Sequence, residues 1–321
     1  MKCCEIISYT VLWREKLHVY LRKVYPSYSN EYIDYCIDHS SDRLPSLIVI
    51  NEENDIVGCH LYYCTKAMVC GEVIETQWGH DTFLDKPYRA SMGLDLMLAT
   101  HSNKGFGVGL TDVNEKIQKL LKDVFFKGVF NYYLLTWKVI LIPVQLLFKW
   151  KPVIKTPEKV RVGKYIFRRV KDANAINIPN DGFWNKDILD IDFIRDSSFI
   201  NDRFLNNKVH KYYLYTLDID KDTCYFVVRQ TYYRGIPAIA LSDYRYTNYR
   251  MLNYIMRAVI HIGYISNLGV VVFLSGDDNM DKVVRGRFHY RTKEDFVTNM
   301  HLKPTLTYMV TGGDSDADFL K

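Results

Sequence analysis

The residues best suited to chemistry lie in the first third of the chain. Glu75, His80 and Asp81 share one alternating stretch, Val73 to Leu84, and each can carry a proton. His80 is the best matched to neutral pH, because imidazole titrates near ~6.5 whereas a carboxylate would have to be raised by roughly two units. Each also fits an ordinary role, His80 and Asp81 at a strand end and Glu75 facing water. Just beyond, Tyr88-Arg89-Ala90-Ser91-Met92-Gly93 leads from the strand-like run ending at Pro87 into an apolar periodic run. That pattern reads as strand, tight turn and helix N-terminus. A first helical turn offers backbone N–H groups without intrahelical partners and about half a positive charge from the helix dipole, so it suits a phosphate. Arg89 adds a full charge beside it.

Two further groups invite a metal reading and do not earn one. Cys59, His60, Cys64 and Cys70 are close in sequence but have neither C-x-x-C nor H-x₃-H spacing, so no metal is expected there. Asp314, Asp316 and Asp318 alternate near the end of the chain and as a strand would share one face. A solvated last strand is the expectation, with divalent-cation binding as the alternative.

The elements that must position these residues follow from periodicity. Residues 13 to 25 are apolar at helical spacing and stop before Pro26, and Ser29-Asn30-Glu31 caps a second helix running to about His39. Ser46 to Ile50, Ile56 to Met68 and Val73 to Leu84 read as strands, the first two joined by a polar turn. After the central helix come a glycine-led strand from Gly105, a second helix opened by Asn114, and a strand from Val129 to Val139. Beyond a basic linker the order echoes itself: a helix from Met251 to Ile265, then Gly269 to Asn279, which parallels Gly105 to Asn114. A helix from Asp281 to about His289 and a strand from Thr305 to Val310 complete the second half. That half carries Thr247-Asn248-Tyr249-Arg250 where the phosphate turn would stand, with no glycine for close backbone approach.

This order resembles the GNAT superfamily of acyl-coenzyme A N-acyltransferases. Its signature is a strand, a pyrophosphate turn of the type [QR]-x-x-G-x-[GA], a helix, a strand, and a helix opened by Asn. The resemblance implies an α/β (α+β) fold of two tandem GNAT-like domains, each a mixed, mostly antiparallel sheet flanked by helices. Its boundaries would be 1–139, a linker at 140–163, and 164–321. It implies acetyl-CoA or another acyl-CoA as co-substrate: Arg89, Ala90, Ser91, Met92 and Gly93 at the pyrophosphate, Phe83 and Leu84 along the pantetheine, Asn114 near its thiol end. Glu75, His80 or Asp81 would be the base that takes a proton from a small-molecule acceptor. Aligned on Arg89, Met92 and Leu94 stand at the motif's small positions, and Leu121 stands where many members carry a tyrosine. A GNAT-shaped binding or scaffold protein is therefore the first alternative. Asp202-Arg203-Phe204 with Lys211-Tyr212-Tyr213-Leu214-Tyr215 resembles tandem GNAT proteins encoded with bacterial surface-polysaccharide genes, which implies an amino sugar as acceptor. Transfer from a charged tRNA is the other alternative.

Composition narrows the partners. The 321 residues are 48% hydrophobic and 14% aromatic, enough for one large or two medium cores. The net charge of +5 is uneven: Lys149 to Lys171 holds nine basic residues against Glu158 alone, a local +8 that leaves −3 elsewhere. A general DNA binder would spread its basic face more widely. Trp137 to Trp150 is apolar, broken by Pro143 and too short to span a bilayer. A buried strand end with an interdomain helix is one reading. With the basic run behind it, 137–171 also fits a peripheral contact with an anionic membrane surface. Glu5 interrupts the short apolar start, which argues against a secretory signal, and seven cysteines without paired spacing fit reduced thiols in a cytoplasm.

Overall fold

The computed structural model describes residues 4–39, 44–101, 106–110, 126–136, 143, 145, 147–185, 188–284, 289–298 and 307–314. Asn114, Leu121, Asp316 and Asp318 lie outside the described residues. The chain forms two compact units: Met1–Ala67 with Val73–Gly128 and Phe296–Pro304, and Met68–Glu72 with Val129–Asp295 and Thr305–Lys321.

In the first unit β1 (Cys4–Ser8) leads to α1 (Arg14–Val24) and α2 (Asn30–Asp38), followed by β2 (Leu47–Asn51), β3 (Ile56–Val69), β4 (Glu72–Leu84), α3 (Arg89–His101) and β5 (Phe106–Leu110). α1 buries Leu17, Tyr20 and Leu21, the i, i+3, i+4 set of one helical face, and has Arg22 and Lys23 in its last turn. α2 is capped by Ser29, whose Oγ accepts from the Tyr32 N–H at 3.2 Å. Strand pairing is antiparallel from β1 through β2 to β3 and continues to β4, and the β4–β5 pair is parallel. Parallel neighbours need a crossover, and α3 supplies it. Met92, Leu96 and Ala99 on α3 pack over Leu47, Val49, Val57 and Leu84. Helix and sheet are held together by this burial, about 1.5–3 kcal/mol for each large apolar side chain fully removed from water.

In the second unit come β6 (Phe126–Thr136), β7 (Lys159–Val162), β8 (Tyr165–Val170), β9 (Ile191–Phe193), β10 (Tyr212–Ile219), β11 (Asp222–Tyr233) and β12 (Ile236–Tyr246). α4 (Met251–Ile265), β13 (Val270–Ser275), α5 (Asp278–Val284), β14 (His289–Thr298) and β15 (Tyr308–Met309) follow. The end of β14 belongs to the first unit, where Phe296–Thr298 pairs antiparallel with β5. The second sheet runs β6-β13-β12-β11-β10-β8-β7 and is antiparallel except for β12–β13, which α4 joins. Leu252, Ile255, Met256, Val259 and Ile262 of α4 are fully buried against it. Each unit is thus a mostly antiparallel sheet with one parallel strand-helix-strand step, and β5 and β13, the two glycine-led segments that echo in sequence, hold the same place in it. β7 lies within the basic stretch that composition reads as a linker, because Val160 and Val162 alternate into the core.

Candidate active site

His80 and Asp81 are neighbours on β4, and the two-residue period of a strand would send them to opposite faces. They meet because Asp81 adopts a left-handed backbone, with φ of 44°. His80 Nδ1 lies 3.1 Å from Asp81 Oδ2, both side chains being under one-tenth exposed. The Tyr28 hydroxyl donates to Asp81 Oδ1 at 3.1 Å and the Cys36 thiol to Oδ2 at 3.5 Å. A carboxylate only accepts, so Nδ1 carries the hydrogen, and when the ring holds that one proton its lone pair sits on Nε2. This is the arrangement of an oriented general base.

The electrostatics agree with an ionised Asp81. Burial pushes its carboxyl up, but the hydrogen bond from His80 and the charge that ring carries when protonated, with the hydrogen bonds from Cys36 and Tyr28, outweigh this and hold it below the ordinary carboxylate value. The same negative charge acts outward. Burial first, and Asp81 second, push up the Cys59 thiol and the Tyr25 hydroxyl, which stay protonated near neutrality. His60 Nδ1 meets the Thr82 hydroxyl at 2.6 Å, and desolvation followed by the charge of His80 lowers its pKa, leaving it neutral. Around the pair stands an aromatic wall: Tyr25 stacks on Tyr28 with centroids 4.6 Å apart and meets Phe83 edge-on at 6.2 Å.

A metal reading also centres here. Cys36, His80 and Asp81 offer ligand atoms within 4.8 Å of one another, whereas the group suggested by sequence proximity, Cys59, His60, Cys64 and Cys70, forms no such cluster among the described residues. The donors of the gathered three are engaged with one another by hydrogen bonds.

Glu75 stands apart. It precedes the β4–β5 ladder of Thr76–Gly79 against Phe106–Gly109, and His80 follows it. Five residues of strand separate them by roughly 16 Å. Past Gly79, β4 continues through His80 to Leu84 with no partner from β5 among the described pairs.

The tight turn falls earlier than the sequence pattern places it. Lys86–Tyr88 is a short 3₁₀ segment, and Arg89, Ala90, Ser91, Met92 and Gly93 already form the first turns of α3. Arg89 Nε donates to the Leu84 carbonyl at 2.7 Å and its guanidinium lies over the Phe83 ring at 5.3 Å, tying the end of β4 to the start of the helix. Arg89, Ala90 and Ser91 are exposed. A Cβ added at Gly93 would meet nothing within 4 Å, so the space beside the helix is open. Met92 turns its side chain to the core and Leu94 to the surface, 52% exposed. At the N-terminus of α4 in the second unit Asn248 Oδ1 accepts from the Arg250 N–H and its carbonyl from that of Met251, and at α3 the Lys86 carbonyl likewise accepts from the Arg89 N–H.

Tyr28 and Cys36 escaped the sequence reading. Tyr28 stands just before the Ser29 cap of α2 and Cys36 lies on its buried face with Tyr32 and Ile33, but nothing local says that these meet Asp81.

No protein-family model matches the chain, and no curated protein matches it in sequence. Solved structures do match its fold. A GCN5-related N-acetyltransferase from Anabaena variabilis matches with a TM-score of 0.60 at 10% identity over 92% of this chain and 72% of its own. Another from Kribbella flavida matches at 0.59, 10% identity, 92% and 71%. Saccharomyces cerevisiae N-myristoyltransferase with bound myristoyl-CoA matches at 0.57, 12% identity, 95% and 84%. The chain has the fold shared by these N-acyltransferases.

Proposed function

We propose that this chain is an acyltransferase that moves an acyl group from acyl-CoA to an amine or hydroxyl of a small acceptor. The observation that carries the reading is the buried Asp81–His80 pair on β4, just past the described pairs of the β4–β5 ladder. Bound acyl-CoA supplies an acyl carbon activated as a thioester. The residues present fit it. The exposed first turns of α3, with open space at Gly93 and the charge of Arg89, suit a pyrophosphate. Phe83 and Leu84 sit past the described β4–β5 pairs and would line the pantetheine arm. The larger residue at the first motif position does not fill the cradle, because Met92 packs inward.

His80 Nε2 would take the acceptor's proton, while Asp81 holds the ring in register and stabilises the imidazolium. Tyr25, Tyr28 and Phe83 give the surroundings a mixed polar and apolar character that suits a sugar. An amino sugar is accordingly the acceptor class to screen first. Separately, Leu147, Phe148 and Val153 are more than 70% exposed beside Lys149 and Lys151. We propose that this patch rests on anionic lipid, as apolar residues interleaved with cations do at membrane surfaces.

Calorimetric titration with acetyl-CoA and CoA tests the first reading. Micromolar binding that weakens at least about tenfold in Arg89→Ala is expected. His80→Ala should retain that binding and lose turnover by ~10²-fold or more. Absence of CoA binding in the unaltered protein would sink the proposal.

A further inference from the structure

The second unit holds a cavity that the acyl-transfer reading does not use. Its volume is about 580 Å³, and it opens between the end of β8, the helical turn at Asn201–Leu205 and the start of β10. Arg169, Lys171, Lys208, His210 and Lys211 line it, and none of the described lining residues is acidic. Phe204 and Tyr212 form a buried aromatic side, their rings edge-to-face at 5.2 Å, and half-buried Tyr213 continues it. Arg169 is fixed in place: Nη1 donates to the Thr156 carbonyl at 2.5 Å and hydroxyl at 3.0 Å. Its Nη2 lies 3.9 Å from Glu158, a carboxylate outside the lining whose side chain is 81% exposed. Lys211 lies 5.7 Å from the Tyr213 ring centre.

A cavity with four permanent cations, a histidine and no facing carboxylate stabilises multiple negative charge, and its aromatic side needs an apolar or ring-bearing body. The volume is that of a small-molecule site. We infer that this cavity binds a nucleoside diphosphate, the cations meeting the diphosphate and the aromatic side the nucleoside. The +8 of the basic stretch thereby gains a place, since Arg169 and Lys171 are its last members. The inference does not depend on acyl transfer.

Equilibrium titration of the full chain with ADP, UDP and inorganic pyrophosphate at physiological salt tests it, with circular dichroism confirming that each variant folds. ADP or UDP should bind at least about tenfold more tightly than pyrophosphate. The double variant Lys208→Gln with Lys211→Gln changes two exposed side chains and should weaken that binding at least tenfold. The inference is overturned by no nucleotide binding, or by binding that the double variant does not alter. It is equally overturned if a short RNA binds and both nucleotides do not, which would make the cavity part of a polynucleotide surface.

Discussion

At the residue scale, the proposed chemistry rests on how Asp81 is held. Three donors converge on its carboxylate, so replacing it with Asn removes the charge and lets an amide N–H face His80 Nδ1. The ring would then favour the other tautomer, and turnover should fall by about 10²-fold or more with acyl-CoA affinity little changed, as steady-state kinetics with calorimetry would show. Asp81 also makes stability depend on pH. Its folded pKa is depressed below the unfolded value, so its contribution is complete above ~3.9 and is lost as pH falls through the lower, folded value. The acid side of a urea-melt stability profile should therefore be shallower in Asp81→Asn than in the unaltered protein.

At the element scale, β3 and β4 must pack closely enough to bring Cys59 and Asp81 together. Gly58 permits it: a Cβ there would lie 2.5 Å from Leu84 Cδ1 and 3.1 Å from both the Phe83 carbonyl and Val49 Cγ2. Leu84 can swing away in part, but the carbonyl cannot, so Gly58→Ala should destabilise the protein by about 1–3 kcal/mol in urea unfolding. α2 presents Cys36 to Asp81 and depends on its cap. Loss of the Ser29 hydroxyl in Ser29→Ala should cost about 1 kcal/mol, and turnover should drop if Cys36 shifts with the helix.

At the scale of the whole molecule, the second unit is organised by buried charge. Asp243 accepts from Arg195 Nε at 2.9 Å, Arg245 Nη1 at 3.0 Å, the Tyr225 hydroxyl at 2.6 Å and the Thr311 hydroxyl. Burial raises its pKa and the two arginines more than reverse this. Asp243→Ala would remove the carboxylate shared by Arg195 and Arg245, leaving Arg245 beside Asp192 at 3.8 Å, and should destabilise by ~3–5 kcal/mol. The outer surface makes a different prediction: Phe148→Ser should reduce flotation with anionic vesicles and leave neutral ones unaffected. Much of this architecture is legible in the sequence. Helix and strand periods mark α1, α2, α4, β2, β3 and β4 to within a few residues, because each element's buried face is written in its own spacing. Proton carriers at 80 and 81, and a helix N-terminus after them, are likewise local facts. The pairing of His80 with Asp81 is not, since it needs a left-handed residue that strand periodicity forbids. Neither is the convergence of Tyr28, just before α2, and Cys36, on it. The sequence alone therefore determined most elements of the first unit and which types of residue could react, but not β7 or β10 to β12. Only the tertiary structure decided which of them meet, because contacts between distant segments depend on packing across the fold and leave no trace in local order.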